Sequence, residues 1–458
     1  MENAMKKIIS FIMAIALAMC AFSLVACDNQ SSQPIVIWTF TDELGKMIEN
    51  YYKKNVDADA NIEIKTMGVN DLSTKLDSAL RAKKNLPDIV AIEEKYISKY
   101  ADSGAFMSLQ DMVTGDNQMY TYALDAARDK SGNVMAFAWQ ATPGALYYRT
   151  DMAKEILGVN NPEEMQNMVD TWEKFMSVAQ TLKNYNGAKF SDVRILSDVA
   201  APARAFYSER NASWIVDGKL SIETQLYKGE TSLYEIIKTL QVGNGVWGQS
   251  EDPFINETTE RTTAWFNDMS QDKVFSYLLP SYSLQYDFKK YAKNATAGTD
   301  TTGKWAICQG PAVYSDGGTW LGILNSSANA EKAKEIIRYF TMDEGFLRAW
   351  ANDTGDFMNN KALMTEFAND ANRAEAFLGG QNHYALFNEI ANKIKGNNRT
   401  AYDSKINSMF SEWAINYAKV ENVSLSSAKL DALNGFVEGV AGAYSSVIDT
   451  DNMTFDLD

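Results

Sequence analysis

The stretch IVIWTFTDELGKMIENYYKKNVDADANIEIKTMGVNDLSTKLDSALRAKKNLPDIVAI (Ile35–Ile92) holds three short apolar runs separated by two amphipathic ones. IVIWTF (Ile35–Phe40) reads as a strand. The next stretch places Leu44, Met47 and Ile48, then Tyr51 and Tyr52, on one helical face. NIEIKTM alternates with period two at Ile62 and Ile64, as a half-buried strand does. Asp71 is predicted to cap a helix carrying Leu72, Leu76, Ala79 and Leu80. DIVAI (Asp88–Ile92), directly after Pro87, is a third strand. The order βαβαβ predicts a parallel sheet covered by helices, and so an α/β fold.

Further along, NVMAFAWQATPGALYYR (Asn133–Arg149) has two apolar runs broken by Pro143 and Gly144, where the chain is expected to leave one lobe for another. Asp170, with Glu173 three residues on, resembles a capping box ahead of Trp172, Phe175, Ala179 and Leu182. Leu146 to about Ser276 reads as mostly helical. KVFSYLLPSY and KWAICQGPAVYSDGGTWLGIL bring strands back, and Asn329 is expected to open one long helix through Trp350. The tail reads as an amphipathic helix with Leu430, Leu433, Phe436, Val440 and Tyr444 inward.

A chain of 458 residues suits two domains or two large lobes. Its formal charge of −16 opposes a nucleic-acid or anionic-lipid partner, which needs a basic surface. One histidine, His383, leaves no His-rich zinc site and makes a Ser–His or Cys–His catalytic group improbable; it is expected on a loop. Lys6 and Lys7 precede an apolar run that stops at Cys27, with Ala26 before it and polar DNQSSQ after. The run approaches the length of a membrane span, but its ending favours export and cleavage. It resembles the lipobox of bacterial lipoproteins. The resemblance implies a signal peptide over 1–26, lipidation of Cys27 and a tether over 27–34, with the mature protein on the outer face of the cytoplasmic membrane. Several acyl chains give stable anchoring where one is marginal.

Other motifs fail on context. Gly243, Gly245 and Gly248 have the G-x-G-x-x-G spacing, but the stretch before them is helical in pattern and Pro253 follows. A dinucleotide site needs a strand before the glycines and a helix after them. Asp57, Asp59 and Asn61 begin like a calcium loop, yet Ile62 stands where glycine is needed and Gly68 where the bidentate glutamate belongs. No G-x-S-x-G, P-loop or H-E-x-x-H occurs. No cofactor and no metal is expected.

IWTFTDELGKMIENYYKKN, LPDIVAIEEKYISKYADSGAFMSL, ATPGALYYRTDMAKEILG, KVFSYLLPSY and GGTWLGILNSSANAEKAKEIIRYFTMDEGF follow one another along the chain. Together they resemble the extracellular solute-binding proteins of carbohydrate ABC transporters, the maltose-type family. The resemblance implies a two-lobed type II periplasmic-binding fold with a ligand cleft and a closing hinge. Lobe 1 would take 35–138 plus 311–354 and lobe 2 143–306 plus 356–458, with crossings near 138–143, 307–311 and 354–356. It implies a monomer that captures a mono- or oligosaccharide and delivers it to a membrane permease.

Carried over residue by residue, the resemblance puts Trp38, Asp42 and Glu43 at the cleft, with Glu93, Glu94, Trp139 and Gln140. It adds Tyr282 (where the family usually carries Trp), Gly318, Trp320, Asp356 and Gln381, and Trp247 on a cleft-edge loop. Stacking a sugar on roughly 80 Å² of ring face is worth about 2 kcal/mol. Micromolar binding needs about 8 kcal/mol, so carboxylates and amides must also meet the hydroxyls. Two rivals stay open: a cationic solute in the same cleft, and a glycan-cleaving enzyme using a pair such as Glu93 with Asp356.

Overall fold

The structure, a computed structural model, describes residues 33–444 other than 115–117, 223–225, 227–230, 246–251, 295–297, 397 and 419–424, and of 414–418 and 425–434 the backbone alone. The leader, Cys27 and Trp247 therefore lie outside the described residues.

Strand β1 (Ile35–Thr39) runs parallel to β2 (Ile62–Thr66) on one side and β3 (Ile89–Glu93) on the other. Helix α1 (Glu43–Met47), continued by a π turn over Ile48–Tyr52, connects the first pair. It buries Leu44, Met47, Ile48 and Tyr52 against the sheet. Helix α2 (Val69–Ala82) begins earlier than the sequence suggests: Gly68 is its N-cap, and Asp71 lies inside the first turn, where its charge complements the helix dipole. Helix α3 (Glu94–Ala101) starts directly from the end of β3.

β4 (Ala136–Ala138) belongs to this first sheet and β5 (Gly144–Arg149) to a second, so Pro143 and Gly144 do mark a change of sheet. In the second sheet β5 lies between β6 (Ser276–Pro280) and β7 (Trp305–Cys308), all antiparallel. β8 (Thr319–Ile323) then returns and inserts antiparallel between β3 and β4, giving the order β2-β1-β3-β8-β4. Parallel pairing thus holds for the first three strands and fails where the chain re-enters from the other sheet.

β5 is buried along its whole length because both its faces are covered. Leu146 and Tyr148 join a cluster with Phe175 and Leu182 of helix α4 (Trp172–Asn184) and Phe206 of helix α5 (Ala200–Ser208). Tyr147 points the other way, stacked on Phe288 with centroids 4.6 Å apart. The cap of α4 is Thr171, whose hydroxyl accepts from Lys174 N–H at 3.3 Å; Asp170 instead pairs with Lys174 Nζ at 2.8 Å.

The helix expected from Asn329 to Trp350 is two, α6 (Ala330–Met342) and α7 (Glu344–Thr354), because Asp343 is extended and caps the second. Helix α8 (His383–Ala391) begins with His383, which is buried rather than on a loop; burial lowers its pKa to about 4, and Nε2 lies 3.3 Å from Gly355 O. Helices α9 (Asp403–Ala418) and α10 (Leu425–Tyr444) close the second cluster, with Phe410, Phe436 and Val440 inward.

Two segments, β4 to β5 and β7 to β8, pass between the sheets, and residues 357–359 run beside the first of them. Ala141 N–H donates to Phe357 O and Asn359 N–H to Trp139 O, both at 2.9 Å. Gly144 N–H donates to Tyr314 O at 2.8 Å and Asp316 N–H to Thr142 O at 3.2 Å.

Candidate functional site

Where these segments meet α3 and α5 there is a cavity of about 210 Å³, whose walls include Glu93, Glu94, Arg204, Asp316, Arg399 and Asp403. Glu93 ends β3 and N-caps α3, accepting from Lys95 N–H at 3.0 Å. Burial, then the nearby Glu94 and Asp316 charges, push its pKa up to about 8.

Glu94, one residue on, accepts from Gly317 N–H at 2.7 Å and from Ser315 Oγ at 3.1 Å, and it pairs with Arg399 from the segment before α9. Gly317, at φ +72°, is the conformation that brings its amide to this carboxylate; a Cβ there would meet the Tyr282 hydroxyl at 2.9 Å. From α5, Arg204 reaches Asp316 at 3.1 Å and Glu260 at 2.7 Å. Arg261 lies 3.3 Å from Asp287 and over the Tyr282 ring at 5.9 Å. Arg210 pairs with Asp403 at 2.9 Å.

Each guanidinium at the cavity, those of Arg204, Arg210 and Arg399, is already matched by a carboxylate. Such pairs still hold unused N–H groups and lone pairs. The wall, which Lys95 and Lys395 also line, is thus rich in donors and acceptors for hydroxyl groups.

A second polar cluster lies around Glu43 and Tyr286, with Asp356 nearby. Tyr286 donates to Glu43, which also accepts from Thr41 Oγ1 at 3.3 Å. Asp356 is 1% exposed, and its Oδ2 has no hydrogen-bond partner. Burial, and next the Glu43 charge, raise the Asp356 pKa well above the usual carboxylate range.

Of the residues singled out in the sequence, Glu93, Glu94 and Tyr282 meet at the first cluster, and Glu43 and Asp356 at the second. Glu93 and Asp356 are thus in separate clusters. Gly318, at φ +117°, leads into β8 with Trp320 close by; a Cβ there would lie 3.0 Å from the indole.

Trp38, Trp139 and Trp320 are core rings, exposed by no more than 2%. They stand on or beside strands of a sheet covered on both faces. Lys75 of α2 lies 4.7 Å over the Trp38 ring, and Trp320 Nε1 donates to Ala123 O at 2.8 Å. Gln140 is buried beside Met358. The Gln381 amide braces the edge of β7, accepting from Ile307 N–H and donating to Ile307 O, both at 2.8 Å. Asp42 is exposed at the start of α1.

Sequence reading missed Arg204, Tyr207, Glu260, Arg261, Asp316 and Arg399. These come from four distant segments, and no local spacing marks them as partners. The one available signal is SDGG (Ser315–Gly318), an acid and two glycines at an expected crossing.

Among solved structures, this fold is shared with the ABC-transporter-associated binding protein of B. animalis subsp. lactis Bl-04 in complex with β-1,6-galactobiose. The TM-score is 0.65 at 19% identity, over 90% of this chain and 98% of that one. The galacto-N-biose/lacto-N-biose I-binding protein of Bifidobacterium longum matches with a TM-score of 0.67 at 13% identity, over 92% and 100%. The sugar-binding protein MalE of Xanthomonas citri matches with 0.65 at 15%, over 90% and 98%. These are two-lobed type II binding proteins, and the chain has their fold. Residues 46–378 match the family described as bacterial extracellular solute-binding protein. The chain belongs to the bacterial extracellular solute-binding protein family.

Proposed function

We propose that this chain is the lipid-anchored, monomeric binding component of an ABC importer, that it captures a neutral mono- or oligosaccharide between its lobes, and that it delivers it to a membrane permease. The observation that carries this reading is the matched Arg–carboxylate wall of the inter-lobe cavity, to which α3, α5 and the 395–403 segment all contribute. Hydrogen bonds to charged groups contribute about 1.5–3 kcal/mol each, so roughly four well-placed hydroxyls reach the ~8 kcal/mol of micromolar affinity without Trp stacking. Tyr207 lines the cavity, and the Tyr282 ring lies beside Arg261.

The three adjacent crossings act as the hinge, and ligand drives closure only through its preference for the closed state. Cys27 carries the lipid. The known structures with this fold that hold galactobiose or lacto-N-biose support a saccharide as ligand.

A cationic solute is the second reading, favoured by the Glu43–Asp356 carboxyl pair at the third crossing. A thermal-shift screen of neutral sugars, acidic sugars and polyamines decides between them, because a specific ligand raises the melting point by mass action. A shift with a neutral saccharide alone supports the first reading, and a shift with polyamines alone replaces it by the second.

A further inference from the structure

A smaller cavity, of about 10 Å³, adjoins the candidate site; its lining includes Ser197, Asp198, Glu260, Trp265 and Tyr277. Tyr277 comes from β6, Trp265 from the helix Thr263–Asp268, and Ser197 and Asp198 from the segment just before α5. Glu260 connects it to the larger cavity, because the same carboxylate pairs with Arg204 at 2.7 Å.

Three buried polar atoms of this lining have no hydrogen-bond partner: Ser197 Oγ, Asp198 Oδ2 and the Tyr277 hydroxyl. Ser197 is 2% exposed and Tyr277 3%, so bulk solvent does not serve them. Ser197 lies near the Tyr277 hydroxyl without bonding to it. The groups around them are engaged elsewhere. Asp198 Oδ1 accepts from Ala200 N–H at 2.9 Å. Asp268, whose charge also reaches Tyr277, accepts from Asn256 Nδ2 at 2.9 Å and Thr258 Oγ1 at 2.5 Å. Arg204, the cation that acts on Asp198, is divided between Glu260 and Asp316.

Buried polar groups in folded proteins are paired with protein or with ordered water, and leaving three unpaired around one cavity is costly. A buried water needs polar walls, two to four partners and a volume of roughly 10–15 Å³, about one water-sized sphere. This cavity supplies the walls, the partners and room for a single molecule. The bonding balances too. Water accepts from the Tyr277 and Ser197 hydroxyls and donates one proton to Asp198 Oδ2, so each atom gains a partner of the right kind. A metal ion fits less well. Calcium takes roughly six to eight oxygens, and among the described residues no group of three His, Cys, Asp or Glu side chains is placed to hold a metal.

We propose that Ser197, Asp198 and Tyr277 hold one buried water beside the Arg204–Glu260 pair, as a fixed part of the second lobe. The site goes beyond the ligand reading above and does not depend on it.

A crystal structure of the ligand-free protein, at a resolution that orders waters, tests this. A single peak is expected about 2.6–3.2 Å from all three atoms. No density there, with the Tyr277 hydroxyl turned onto Ser197 or Asp198, overturns the proposal. A peak ringed by six or more oxygens at about 2.3–2.6 Å is a cation and overturns it too. In solution, water relaxation dispersion counts long-lived internal waters. Ser197→Ala combined with Tyr277→Phe, which removes both hydroxyls, is expected to lose one of them, and an unchanged count overturns the proposal. If that variant loses its far-UV circular dichroism, Tyr277→Phe alone carries the test. Its water is expected to leave about tenfold sooner, for the loss of one hydrogen bond, and an unchanged residence time overturns the assignment.

Discussion

Replacing Glu94 by Ala removes the acceptor for Arg399, Ser315 Oγ and Gly317 N–H at once. The Glu94 side chain is 11% exposed and that of Arg399 22%, so water replaces only part of what is lost. Breaking a fully buried pair costs about 3–5 kcal/mol, and a charge-assisted bond is worth about 1.5–3. With the residual exposure discounted, Glu94→Ala is expected to cost about 2–3 kcal/mol. Arg399→Ala loses the same contact from the other side, so the double variant is expected to lose about 1–2 kcal/mol less than the two singles added. Urea titrations followed by far-UV circular dichroism, with stability taken as slope times midpoint, measure all four proteins. Additivity within about 0.5 kcal/mol would refute the pairing as the contact that ties the 395–403 segment to α3.

Other expectations follow from single contacts. Gln381→Ala loses both bonds to the edge of β7 and is expected to cost about 1–3 kcal/mol while leaving ligand affinity unchanged; weakened binding at unchanged stability would return Gln381 to the cleft. His383 is buried neutral, its pKa lowered from 6.5 to about 4, so its contribution is complete above pH 6.5 and is lost as pH falls toward 4. Stability is expected to drop by on the order of 3 kcal/mol over that window. The drop should be missing in His383→Leu, and its persistence there assigns it to another group. Cys27→Ser is expected to abolish incorporation of radiolabelled palmitate and release the protein into the medium; a variant that stays on the membrane points to an uncleaved anchor.

The first three strands were legible because two are short apolar runs, the other alternates with period two, and the helices between them have a clear face. The change of sheet was legible because Pro143 and Gly144 interrupt two buried runs. The order of β8 was not, since antiparallel re-entry depends on where the chain comes from and leaves no local trace. Of the candidate cavity, the neighbourhood of Glu93, Glu94 and Tyr282 was legible because they lie at or just after strand ends. Their partners were not: Arg204 is the one charged residue on its helix, and Arg399 lies some 300 residues from the glutamate it matches. Trp38, Trp139 and Trp320 are buried for a physical reason. A ring at a strand end faces a cleft only when the sheet is open on that side, and this sheet has helices on both.

The most direct test is a co-crystal structure with the saccharide that gives the largest thermal shift. The ring should lie between Glu93, Arg204 and Asp316, its hydroxyls touching both lobes. Density for the sugar on the outer surface, or a cavity filled by a charged solute with the saccharide absent, would contradict it.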